Sequence, residues 1–397
     1  MSRVVSPLSV ATLIFILSPV LSLQETADPS MPYVMAMIVP TIFYCLLKGS
    51  IRKISTNHVM AILLWLFGGI SSVVGPYGVL DVRFIKYFLF VVFYICVTSN
   101  SYAQIDLKFI TKNYIRVAIG VAILILLSYM FGYPHNESTY YMSRYSVGIT
   151  GVYKNPNYLT SFINVALFIL GYILFFGDIS KRKKYLYIAF ILLFFIGFYL
   201  SGTRASIILG CIVLLSLLLK NLCDSKRFIW GIIPIVVLVV IAMVFRAQID
   251  DLWMNFLGDR SATKDEGRTL AWSIAANQIF DNPIFGCGLF AWDFFGKSGE
   301  YLEWLHNIFL ELVLNQGFIG AILCYSMITY GCLKVKKCDR FFVSMFVFVS
   351  GFPLLFQNGL IAVNFWRFVI LTRIVIDYSR FSTYGIVDLI NDCNEKS

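Results

Sequence analysis

Apolar runs long enough to cross a bilayer follow one another along nearly the whole chain, and they leave very few folds open to it. In hydrocarbon every backbone N–H and C=O must find a partner inside the protein. Only helices and closed barrels achieve this. The runs are close to twenty residues and lack the period-two alternation of barrel strands, so they predict an all-α integral membrane protein. About twelve spans are expected, near residues 8–23, 31–47, 57–75, 84–98, 114–131, 156–177, 185–200, 204–221, 228–245, 307–333, 341–357 and 365–380. Composition agrees: 59% of residues are apolar and only 14% charged, with a mean hydropathy of +0.78. The first run has the basic flank of a signal peptide, but with so many spans after it an uncleaved first helix is the simpler reading. One transmembrane domain over residues 1–397 is expected.

The basic residues fall in alternate loops. Lys48, Arg52 and Lys53 form one group, Lys108 and Lys112 the next, then the run Lys181-Arg182-Lys183-Lys184. Lys220, Lys226 and Arg227 follow, and finally Lys334, Lys336, Lys337 and Arg340. The positive-inside rule puts these loops and both termini in the cytoplasm. This accounts for most of the net charge of +10 without nucleic acid as a partner. Nine cysteines lie scattered without close CxxC pairs or a His/Cys cluster, so neither a zinc site nor a disulfide framework is indicated.

The opposite, outward face holds short loops and one long polar interruption, residues 246–305, expected to carry short or interfacial helices. Three motifs open inward-running spans there: Asn155-Pro156-Asn157, Ser201-Gly202-Thr203-Arg204 and His306-Asn307. Each such helix presents its free N–H groups and positive dipole end to the outer face, which attracts anions. Pro156 suits the first helical position after an Asn155 cap. Ser201 or Thr203 can cap the next helix, with Arg204 in its first turn. A guanidinium fixed there grips phosphate well, although snorkelling to the headgroups would also place it there.

Within the long loop, Arg246, Arg260, Lys264 and Arg268 add positive charge. From Arg268 onward, Leu270, Ala271, Ile274 and Ala275 share one helical face, predicting an amphipathic interfacial helix with Trp272 as a belt residue. Asn282-Pro283 and Gly286-Cys287-Gly288 end it and lead into an aromatic segment, Trp292 to Phe295, expected to be mobile. His306 is a candidate general base, because a neutral imidazole can take a proton from a hydroxyl at ordinary pH. Asp265, Glu266, Asp293, Glu300 and Glu303 lie near it in sequence, and spacing does not choose which would orient it. A capped surface histidine is the plainer alternative.

The segments Ser201-Gly202-Thr203-Arg204-Ala205-Ser206, Gly267-Arg268 with Trp272, Asn282 to Gly288, and His306-Asn307 followed by Glu311 and Gly317-Phe318-Ile319-Gly320 resemble the O-antigen polymerase and O-antigen ligase superfamily, as does Asn155-Pro156-Asn157. The resemblance spans roughly residues 150 to 325. It implies an inverting, metal-independent glycosyltransferase of a bacterial inner membrane, without cofactor, acting at the periplasmic face on oligosaccharides carried by undecaprenyl diphosphate. By the same resemblance Arg204 and Arg268 neutralise the diphosphate leaving group, and His306 activates the acceptor hydroxyl. Asn157, Thr203, Asn307, Arg246 and Arg260 complete the candidate substrate-binding set, the last two without a surrounding motif or an assigned role. Membrane lipid and a chain-length regulator protein are the partners this implies.

A polymerase is preferred over a ligase that hands the glycan to a lipid A core. The grounds are the 36 Phe and 23 Tyr and the idiosyncratic outer loops, which are in keeping with the more divergent polymerases. A sugar-lipid flippase or solute transporter matches the helix count. Carriers, however, place ionisable groups near the bilayer midplane, whereas the middles of these spans are almost free of them. A membrane acyltransferase would also use a histidine base. The topology predicts that a reporter active only in the periplasm is active when fused after Asp265 and silent when fused after Lys183.

Overall fold

The computed structural model describes residues 5–21, 31–51, 54–99, 101–132, 145–150, 155–224, 266–292, 305, 307–356, 363–382 and 386. Thirteen α-helices carry the architecture among these residues: α1 (Pro7–Leu21), α2 (Met31–Leu47), α3 (Thr56–Val74), α4 (Val82–Thr98), a short α5 (Ser101–Gln104), α6 (Leu107–Phe131), α7 (Pro156–Phe176), α8 (Lys181–Leu200), α9 (Arg204–Asp224), α10 (Glu266–Asp281), α11 (Ile308–Thr329), α12 (Arg340–Gly351) and α13 (Val363–Phe381). Eleven of them fall on the expected spans, and the expected span 228–245 lies outside the described residues. Seven helical stretches are long and apolar enough to cross a membrane by length and composition alone. The protein is an all-α membrane protein.

Local chemistry sets the helix ends. Asp81 accepts from the Arg83 amide at 2.7 Å, Asp106 from Phe109 at 3.0 Å and Asn155 from Asn157 at 3.0 Å. Each satisfies an amide that the first helical turn leaves without an intrahelical partner. The Asp106 cap starts α6 seven residues before the expected span. Lys108 and Lys112 consequently lie in its first turns rather than in the preceding loop. At the end of α12 the expected continuation to residue 357 becomes a 3-10 stretch, Phe352–Phe356.

Helix α7 is the hub, with residues 159–173 buried on every face. Its neighbours approach closely: a side chain at Gly171 would meet Leu217 of α9 at 2.8 Å, and Gly210 of α9 touches the Phe195 ring of α8. Small residues at such crossings let helices pack where lipid supplies no hydrophobic drive for association. Helix α8, by contrast, exposes Ile188, Leu192, Ile196 and Tyr199, an apolar stripe at helical spacing that suits contact with lipid.

Hydrogen bonds between elements define the two ends of the bundle. At one end, Ser9 reaches Gln104 O, Ser101 donates to Asp377 at 3.1 Å, His58 Nε2 lies 2.9 Å from Thr98 Oγ1, and Ser379 donates to Asp339 at 2.7 Å. Lys48, Lys108, the run at 181–184, Lys220 and Lys334 to Lys337 all belong to this basic end. At the other end, the Ile149 amide donates to Val20 O and the Tyr145 amide to Leu200 O, both at 3.1 Å. The N-termini of α7, α9, α11 and α13 lie there.

One expectation needs correcting. The span interiors are not almost free of charge, because α13 buries Arg367, Arg373 and Asp377 at 4–6% exposure. Arg373 pairs with Asp377 within one turn and donates from Nη1 to Tyr330 O at 2.9 Å, so this pair is satisfied near the basic end. Arg367, nearer the other end, has no carboxylate partner among the described residues.

Helix α11 is broken at Gly317, whose φ of 60° and ψ of −168° are non-helical. The break is filled by residues 282–289. The Cys287 amide donates to Leu314 O at 2.7 Å, the Gly288 amide to Asn315 O at 3.1 Å, and the Phe318 amide to Pro283 O at 2.8 Å. Ser71 of α3 shares its hydroxyl between Phe285 O and Asn315 O. Gly286 has a φ of +71°, and a Cβ there would sit 2.5 Å from Gly317 N. Positive φ and backbone on the Cβ side together exclude any larger residue. Gly286→Ala should therefore lower the thermal midpoint of the purified protein by several degrees. Gly120→Ala, in open space on α6, serves as the control and should leave it nearly unchanged.

Candidate functional site

The end of the bundle where α4, α7, α9, α11 and α13 begin carries the described residues of the motifs singled out in the sequence. Pro156 occupies the first position of α7 after the Asn155 cap, and Asn157 follows, half-buried. One turn on, Thr160 donates to Pro156 O at 2.8 Å and accepts from Ser206 of α9 at 2.8 Å. This bond locks the first turns of α7 and α9 together. Arg204, at the first position of α9, is half-buried beside it.

The turn before Arg204 works differently from expectation. Thr203 takes the cap position through its carbonyl, which accepts from Ser206 and Ile207 at 3.2 and 3.3 Å. Its hydroxyl faces back toward α8, 3.0 Å from Ser201 Oγ and 3.4 Å from Phe198 O. Both hydroxyls are buried. Gly202, with φ of +64°, makes the reversal. The effect is to fix where Arg204 emerges, with neither hydroxyl capping α9.

The backbone of Arg268 lies in the first turn of α10. The buried face of that helix is Ala271, Ala275 and Ile279, while Leu270, expected on it, is 48% exposed. Trp272 lies one turn beyond Arg268 and does more than rest at an interface. Its Nε1 donates to Leu305 O at 2.9 Å. Leu305 immediately precedes His306, so this single bond ties the Arg268 helix to the segment that carries the histidine. Asn307 then caps α11, its side-chain oxygen accepting from the Phe309 and Leu310 amides at 3.1 Å each. That oxygen is committed to the helix start. His306, Arg246 and Arg260, the side chain of Arg268, and the carboxylates Asp265, Asp293, Glu300 and Glu303 lie outside what is described.

Residues 282–292, expected to lead into a mobile segment, are anchored as far as they are described. Cys287, Leu289, Ala291 and Trp292 are at most 5% exposed. Leu289 accepts support from Ser72, whose hydroxyl oxygen takes its amide hydrogen at 3.1 Å, and Tyr77 donates its amide to Cys287 O at 3.0 Å. Arg83 at the start of α4 lies over the Phe290 ring, 3.9 Å from its centroid, and donates from Nε to Asp81 at 2.8 Å. Partial burial pushes the Asp81 carboxyl up, and the Arg83 hydrogen bonds and charge more than reverse this, leaving it below its ordinary value.

Sequence reasoning missed Ser71, Ser72 and Arg83. Their roles depend on contacts between segments more than two hundred residues apart, and no local pattern marks them.

Residues 188–325 match the family model described as O-antigen ligase. The match begins within α8, runs through the Arg204 turn and α10, and ends in α11 beyond the Gly317 break. Over this stretch, about a third of its length, the chain is similar to the O-antigen ligase family. No curated protein matches the chain.

Cys287 is fully buried in the α11 break. In a variant whose other cysteines are serine, a water-soluble maleimide should therefore label Cys287 very slowly at pH 7.5. Fast labelling at pH 7.5 would mean that residues 282–289 do not stay seated in the α11 break.

Proposed function

We propose that the protein is a surface-polysaccharide polymerase of the O-antigen type, an inverting glycosyltransferase that joins lipid-linked repeat units. Its donor is an oligosaccharide on undecaprenyl diphosphate, and it acts at the periplasmic face of a bacterial inner membrane. The observation that carries this reading is that Arg204, Arg268 and His306 all fall within the matched stretch, with Trp272 binding the residue beside His306.

The chemistry follows from the needs of an inverting displacement. The acceptor hydroxyl oxygen attacks the anomeric carbon as the bond to the diphosphate oxygen breaks. Negative charge builds on the leaving group while the acceptor proton must go elsewhere. Guanidinium groups at Arg204 and Arg268, beside helix N-termini, stabilise that charge. The His306 imidazole takes the proton. The bases of helices α7, α9 and α11 supply oriented N–H groups on the same side. Basic loops at the other end of the bundle favour the cytoplasm, which would leave this end periplasmic.

A ligase is the second reading, supported by the description of the matched family model itself. The two differ in acceptor alone, a further lipid-linked repeat unit or a lipid A core sugar. The glycolipids of a deletion strain separate them. Single repeat units on the lipid A core indicate a lost polymerase, whereas long chains held on undecaprenyl diphosphate indicate a lost ligase.

Replacing Arg204, Arg268 or His306 with Ala should remove long-chain surface polysaccharide while membrane insertion stays intact. Losses of about 10²–10⁴ in rate are expected for a base or an electrostatic stabiliser. His306→Ala should be far more damaging than His135→Ala, and equal tolerance of the two would reject His306 as the base.

A further inference from the structure

Arg367 lies one turn into α13, buried to 6% exposure, and its Nη2 donates to Ser161 Oγ of α7 at 3.1 Å. Its Nη1 has no hydrogen-bond partner among the described residues. Helix α13 packs mainly on α4, α5 and α12, and its backbone hardly approaches that of α7. The long guanidinium side chain therefore bridges two helices whose backbones stand apart.

The residues around Ser161 each reach a different neighbour, because successive side chains on a helix point about 100° apart. Thr160 Oγ1 accepts from Ser206 of α9 at 2.8 Å. Ser161 takes the Arg367 bond from α13. The Phe162 carbonyl accepts from the Tyr114 hydroxyl of α6 at 2.9 Å, and the two rings lie 4.2 Å apart. Both α7 hydroxyls also grip the start of their own helix, Thr160 donating to Pro156 O at 2.8 Å and Ser161 to Tyr158 O at 2.7 Å. On the far side of the Thr160 bond, Ser206 stands two residues after Arg204, in the first turn of α9.

Stability does not explain this arginine. A buried cation without a carboxylate costs more than one hydroxyl returns, and an apolar side chain of similar length would fill the space without that cost. What the guanidinium adds is a directed, charge-assisted bond from α13 to the turn of α7 that holds α9. We infer that Arg367 is a positioning residue for Arg204, acting through Ser161, Thr160 and Ser206 to set where the first turn of α9 stands against α7. That role rests on the function proposed above, in which Arg204 stabilises the charge on the departing diphosphate. A misplacement of about 1 Å in such a group costs on the order of 10²-fold in rate.

The test uses the full-length protein in liposomes with lipid-linked repeat units extracted from a deletion strain, and reads kcat, KM and the thermal midpoint. Arg367→Met and Ser161→Ala should lower kcat about tenfold or more with KM nearly unchanged, and Arg367→Lys should recover part of the loss. Arg367→Met should melt no lower than the wild type. Lower stability with unchanged kcat is the signature of a merely structural arginine and overturns the inference. Ser206→Ala should lower kcat to a similar degree, and combined with Arg367→Met should lose little more than either alone, because both cut one path. Losses that multiply in the pair mean that Arg367 acts by another route, which also overturns it. Amide exchange gives a readout that needs no turnover: in Arg367→Met the peptides holding residues 156–162 and 204–208 should exchange faster, and those within α8 should not. Unchanged exchange overturns the clamp. Should Arg367→Met not fold, Ser161→Ala and Arg367→Lys carry the comparison. Unchanged kcat in folded variants removes the role of Arg367 and leaves the proposed function standing. If the wild type transfers no sugar, the proposed function fails and the inference with it.

Discussion

Inside a membrane an interrupted helix must find new partners for the backbone groups it releases, and the break in α11 governs how this end of the protein is built. Each unmatched group in an apolar setting costs on the order of 2–7 kcal/mol. At Gly317 the carbonyls of Leu314 and Asn315 turn to the amides of Cys287 and Gly288, and the Phe318 amide turns to Pro283. The loop after α10 is therefore held by main-chain bonds, independent of its side chains. Its glycines are required by the closeness of the approach, since Gly286 and Gly288 both have positive φ and face backbone of Gly317 and Gly78. The docked loop fixes the far end of α10, and Trp272 on that helix holds Leu305.

Much of the bundle is legible in the sequence because lipid makes length and hydropathy decisive. The spans, the Asn155-Pro156 start and the alternation of basic loops all depend on local features, and eleven helices follow them. The break at Gly317 is not legible. Gly317-Phe318-Ile319-Gly320 sits within an apolar run, and glycine is common in membrane helices without a break. The partner that makes the break possible is a loop thirty residues earlier. The burial of α10 likewise departs from its pattern. A small-residue face of Ala271 and Ala275 packs closely and leaves Leu270 outside, because close approach wins over apolar size there.

The candidate site is legible as a set of residues and much less as an arrangement. Arg204 is recognisable from its motif, yet the turn that fixes it uses the Thr203 and Ser201 hydroxyls against α8, a contact that N-cap preference points away from. Arg367 shows the opposite failure. Four residues into an apolar run, an arginine reads as one that snorkels to the headgroups. Only the position of α7 makes it interior, for the hub helix closes the path along which the side chain would reach water. Its hydrogen bond to Ser161 and its unbonded Nη1 distinguish it from Arg373, six residues farther along α13, where Asp377 and the Tyr330 carbonyl satisfy the charge.

The contrast between these two arginines bears on what the bundle is built to tolerate. Arg373 is neutralised within its own helix, so its burial serves packing at the basic end and asks for nothing from outside. Arg367 lies toward the end where α7, α9, α11 and α13 all begin, and each helix start adds partial positive charge. Positive potential therefore accumulates there, and no carboxylate among the described residues pairs with Arg367. A stable fold without ligand would favour an apolar residue at position 367, since unpaired ions in low dielectric destabilise.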